Sequence, residues 1–151
     1  MTEKQNIKEI LLQKCFLLVN EKLNQIEAAM ASLENDLLTA TKSSAGDKHE
    51  TGRAMIQLEM EKLSEQLISA KKTQNTLRSI KIETHMEQVR LGSIVNTTKG
   101  TYFLAVSLGK IKVENNEYLV VSAQSPIGKS LLGKQEGDGV LFNNSTIIEI
   151  Y

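Results

Sequence analysis

From Leu12 to Ala40 the apolar positions step by four and three without a miss: Leu12, Phe16, Val19, Leu23, Ile26, Met30, Leu33, Leu37 and Ala40. This is the seam of a coiled coil, because steps of three and four keep one face of an α-helix in register. A second seam runs through Ile56, Met60, Leu63, Leu67, Ala70, Gln74 and Leu77, with Glu59, Glu61, Lys62 and Glu65 around it. Between them lies "TKSSAGDKHETGRA", residues 41 to 54, which holds no Leu, Ile or Val and no Met. Two seams of similar length joined by a short polar break predict an antiparallel helical hairpin, each stripe burying the other. At ~1.5 Å per residue, Leu12 to Ala40 makes a rod of roughly 45 Å. The polar break, centred on residues 44–52, is then its tip.

After Thr84 period two replaces period 3.6. The runs "GSIVNTT", "TYFLAVSL", "KIKVENNEYLVVS" and "GVLFNNSTIIEIY" read as short strands, with the Asn pairs of "ENNE" (114–117) and "FNNS" (142–145) as hairpin turns, since Asn tolerates positive φ. Between strands, "SPIGKSLLGK" predicts one short helix: Ser125 as cap, Pro126 at the first helical position, Gly133 closing the far end. The expected fold class is therefore α+β in two domains. Residues 1–84 form an antiparallel coiled coil, and residues 85–151 form a small, mostly antiparallel sheet with one short helix. The segment "RSIKIETHMEQVRLG" is the expected hinge.

Composition narrows the function classes. Lys plus Arg equals Asp plus Glu, 18 against 18 over 151 residues, and the balance holds in both parts: twelve against twelve through Thr84, six against six after it. Neither part is a basic module built to hold phosphate backbone, so stand-alone DNA binding is not expected. Three Tyr, three Phe and no Trp make a large enclosed ligand pocket a poor expectation. The longest apolar run, "CFLLV" at 15–19, is far too short for a membrane span or a signal peptide, and a cytoplasmic protein is expected. A single cysteine, Cys15, allows neither an internal disulfide nor a Cys-clustered zinc site. It falls between seam residues, which predicts an inert thiol.

The candidate chemistry sits at the tip and around the short helix. Asp47 and Glu50 are a carboxylate pair at the polar break, and their spacing suits a capping box at the start of the second helix. His49, beside Lys48, reads as a solvated polar residue, and Lys71, Lys72, Arg78 and Lys81 as the solvated face of a rod. "GKSLLGK" lacks the upstream glycine spacing of a phosphate-binding loop.

The order of long α-hairpin then small β-rich domain, with "SPIGKSLLGKQEGDGV" at 125–140 and "GDKHE" at 46–50, resembles the bacterial Gre transcript-cleavage factors over nearly the whole chain. The densest match comprises Ser125, Pro126, Ile127, Gly128, Leu131, Leu132, Gly133, Lys134, Gly137 and Asp138. At the tip, "TGRA" stands where the family usually carries an Asn-Ala-Glu-Tyr type segment. The resemblance implies an FKBP-like C-terminal domain that docks on RNA polymerase through Ser125, Pro126, Ile127, Gly128, Lys129 and Lys134. It also implies a coiled coil that enters the polymerase's secondary channel. Asp47 and Glu50 would there help hold a second magnesium, shared with the polymerase, for hydrolysis of the 3′ end of backtracked RNA. On that reading the protein has no cofactor of its own and assists the polymerase's nuclease activity rather than acting as an enzyme alone. Two alternatives stay open: a relative that occupies the channel without promoting cleavage, and a coiled-coil interaction protein unrelated to transcription.

Overall fold

The computed structural model describes residues 2–42, 46–83 and 86–151, with side chains for these except 41–50. Two long helices, α1 (Glu3–Lys42) and α2 (Gly46–Arg78), precede β1 (Ile94–Thr97), β2 (Gly100–Ala105), β3 (Gly109–Val113) and β4 (Asn116–Ser122). The short helix α3 (Pro126–Leu131) then leads to β5 (Gly139–Val140) and β6 (Ser145–Ile150). An N-terminal two-helix region followed by a sheet domain with one short helix is the coarse α+β architecture that the change of period implied.

Contacts group the chain into two compact units. The first, Leu18–Gln74, holds most of both long helices. Their seams are covered: Val19, Leu23 and Ile26 of α1 and Leu63 and Ala70 of α2 are buried, while Met30, Leu33, Leu37, Ile56, Met60 and Leu67 are half-buried. Gln74 Nε2 donates to Asn20 Oδ1 at 2.9 Å, which sets α1 and α2 side by side at that level.

The second unit joins Met1–Leu17 to Asn75–Tyr151. Its sheet has the order β3-β4-β2-β1-β6-β5. The sheet is mostly antiparallel, as expected, with one parallel pair that makes it mixed. β1–β2, β1–β6, β3–β4 and β5–β6 are antiparallel, but β2 and β4 run parallel, pairing Phe103 with Val120. Parallel neighbours cannot be joined by a tight hairpin. Here β3 is laid at the sheet edge, and β4 turns back into the place beside β2. The β3–β4 turn also departs from expectation, since the left-handed residue is Glu114 (φ 57) rather than an Asn, the pattern of a type II′ turn. At the second Asn pair, Asn144 does take a positive φ of 55.

Alternation along the strands sorts the core into two faces. Val95, Tyr102, Leu104 and Val121 meet Ile127 and Leu131 of α3 together with Met86 and Val89. Ile94, Phe103 and Val120 point the other way and are buried as well. The first turns of α1 cross the sheet: Lys4 pairs with Glu149 on β6, and Lys14 Nζ donates at 2.6 Å to the carbonyl of Lys112 on β3, with three strands lying between β6 and β3. In this stretch the fully buried side chains are Lys8, Leu11 and Cys15, while the expected seam residues Leu12 and Phe16 are half-buried.

Candidate functional site

Helix α3 and its flanks are built by the residues that form the densest motif. Ser125 is the N-cap: its Oγ accepts from Gly128 N–H at 3.0 Å and donates to the Ser122 carbonyl at 2.6 Å. Pro126 holds the first helical position, where its missing N–H costs nothing. Ile127 is buried in the core. A Cβ on Gly128 would lie 1.9 Å from the Ser122 carbonyl oxygen, so only glycine lets α3 lie this close to the end of β4. Gly133 follows the helix with φ +80, a conformation that side chains rarely adopt, and its N–H donates to the Val89 carbonyl at 2.8 Å. The Lys134 carbonyl accepts in turn from Val89 N–H at 2.8 Å. Asp138 closes the next turn by accepting from Gln135 N–H at 2.8 Å.

Ser125, Ile127, Gly128, Gly133 and Asp138 are thereby accounted for as builders of the fold. Pro126 and Lys129 are exposed and Lys134 is half-buried. None of these three side chains is needed to close the core. The structure thus brings Ser125, Pro126, Ile127, Gly128 and Lys129 together on one helix, with Lys134 on the strap that returns to Val89. The tip carboxylates Asp47 and Glu50, and with them His49, lie outside the residues whose side chains are described. Among the described residues, no group of three or more His, Cys, Asp or Glu side chains is placed to hold a metal ion. No described helix is long and apolar enough to cross a membrane.

One buried charge lies outside the residues singled out from the sequence. Lys8, on α1, is 0% exposed. Its ammonium donates to the carbonyl of Glu83 and lies 3.9 Å from Met86 Sδ, which also accepts from Ser93 Oγ at 2.8 Å. Glu83 forms an ion pair with Arg90. Burial pushes the Lys8 pKa down to about 8; Glu83 opposes this and Arg90 adds to it. Two cavities open on the same segment, one of about 400 Å³ along Met86 to Arg90 and one of about 180 Å³ lined by Ser79, Lys81, Glu83, Met86, Arg90 and Leu91. Lys8 therefore fastens the joining segment to the root of α1. Its only sequence signal is that it stands three residues before Leu11 and seven before Cys15, on the buried face. Cys15 itself is fully buried, and burial raises its thiol to about 12, so it is not a nucleophile near neutral pH.

No protein-family model matches the chain, and no curated protein matches it.

Proposed function

We propose that this chain is a Gre-like transcription elongation factor. Its sheet domain, FKBP-like in this reading, docks on RNA polymerase, and α1 and α2 form an antiparallel coiled coil that enters the secondary channel. The observation that carries the reading is the division of labour in the Ser125–Lys134 segment. Its cap, its close-packed glycine and its closing glycine make a rigid platform, while Pro126, Lys129 and part of Lys134 stay at the surface with no packing duty. Support for the hairpin comes from the side-by-side placement of Asn20 and Gln74, 54 positions apart, which one continuous rod would not allow. Asp47 and Glu50 serve at the tip as oxygen ligands that help retain a second magnesium beside the polymerase's own and orient its water. The substrate is the 3′ end of backtracked RNA, the nucleophile is water, and the setting is the cytoplasm. A factor of this kind supplies part of a site and is no enzyme alone.

A second reading, self-association through the rod, has its own observation: Leu38, Met55, Leu58 and Ile68 are exposed on the helices. One experiment separates the two. Sedimentation of the full chain with and without purified bacterial RNA polymerase should show a monomer that joins the polymerase one to one. A stable dimer that ignores the polymerase would replace the first reading with the second.

A further inference from the structure

Within "GVLFNNSTIIEIY" the turn expected at "FNNS" (142–145) is present: β5 ends at Val140 and residues 141–144 form the turn. That turn holds two large apolar side chains out into solvent. Leu141 is 86% exposed and Phe142 58% exposed. Isolated exposed leucines are ordinary on protein surfaces. What sets this pair apart is how firmly its backbone is held. Phe142 N–H donates to Ser130 Oγ on α3 at 3.2 Å, Lys99 Nζ donates to the Asn143 carbonyl at 2.6 Å, and Asn143 Nδ2 donates to the hydroxyl of buried Tyr102 at 3.0 Å. Asn143 Oδ1 also accepts from Ser145 Oγ at 2.6 Å. The core below is closed by Tyr102, Leu131, Val140 and Ile147, all buried in one cluster. Leu141 and Phe142 thus sit on a turn fastened to α3, to the β1–β2 turn and to β2, above a core that is already full.

We infer that Leu141 and Phe142 are the apolar anchors of a protein-docking surface that continues the α3 platform, and that the partner offers an apolar groove flanked by carboxylates. Ordered apolar side chains lose little conformational entropy on binding, which is what makes an anchor effective. Charge selects the partner's chemistry. Residues 139–148 contain no acidic or basic side chain, and the exposed cations beside the turn are Lys99, bonded to Asn143, and Lys129, next to Ser130. Lys99 and Lys129 put positive charge beside the turn, so a groove rimmed by Asp or Glu fits it. Strand addition fits poorly, because β5 offers only two residues of ladder and the chain then turns away.

The inference rests on the proposed function in one respect: the groove belongs to RNA polymerase. The test is the affinity of the full chain for purified polymerase, with Leu141→Ser and Phe142→Ser combined, Lys129→Glu alone, and Ile148→Ser as an equally apolar exposed control on β6. The double variant is expected to weaken binding about 30-fold or more. Lys129→Glu should weaken binding at low salt and make its loss with added salt shallower, while Ile148→Ser stays within about twofold of the parent. Thermal melts confirm that each variant folds. If the parent binds and the double variant binds equally well, the anchors are wrong and the proposed function stands. If the parent does not bind, both fall together.

Discussion

Lys8 shows how much one buried residue can decide. Its ordinary pKa of 10.5 falls to about 8 in the folded chain, so between those values the unfolded chain holds a proton that the folded one has released. Stability from this group therefore rises with pH across that window, and the cost of the buried ammonium is fully present below pH 8. Cys15 and Tyr151, both raised to about 12 by burial, act with the opposite sign once their unfolded forms begin to ionise, from about pH 9 upward. Comparison with Lys8→Met isolates the lysine. In urea denaturation the parent should gain about 1 kcal/mol on the variant between pH 8 and pH 9, and a flat difference would mean that Lys8 is not held as a buried cation. The same stretch shows why the seam shifted. The spacing back from Val19 points to Phe16 and Leu12 just as well as to Cys15 and Leu11. The crossing over the sheet, which no local pattern encodes, favoured Cys15 and Leu11.

Among the elements, α3 was the most legible. Ser before Pro, with Gly133 past the end, is punctuation that local backbone chemistry enforces, and the helix begins and ends where that chemistry requires. The demand on Gly128 was not legible, because it comes from β4 packed behind the helix. Gly128→Ala should destabilise by about 3 kcal/mol through the clash with the Ser122 carbonyl, against about 1 kcal/mol for Ser125→Ala through loss of the cap. Thermal or urea melts rank the two, and a harmless Gly128→Ala would mean that α3 sits further from β4 than described. The strands were legible as runs but not as partners. Period two marks a strand without naming its neighbour, so the parallel β2–β4 pair could not be read from it. The turn expected at "FNNS" is present at 141–144, but the apolar pattern did not show that it holds Leu141 and Phe142 out of the core.

At the scale of the whole molecule, the switch of period near Thr84 marked the passage from helix to sheet, and that two-part order is present. What the periodicity left out is that the first turns of α1 belong with the sheet, an association between residues about a hundred positions apart. The candidate site divides the same way. The platform around α3 was visible as a motif, its anchors at 141 and 142 were not, and the role of the tip rests on Asp47 and Glu50 as residue types. The measurement that tests that role most directly is cleavage of RNA in backtracked elongation complexes at limiting Mg²⁺. The intact protein should accelerate removal of the RNA 3′ end, and Asp47→Asn with Glu50→Gln should lose most of the effect while still competing for the channel. The amide pair keeps size and hydrogen bonding, so the start of α2 should lose about 1 kcal/mol or less, while the charge that helps retain the second metal is gone. An intact protein that binds polymerase and slows it, yet stimulates no cleavage at any Mg²⁺ concentration, would contradict the cleavage assignment and leave the carboxylate pair as a helix cap.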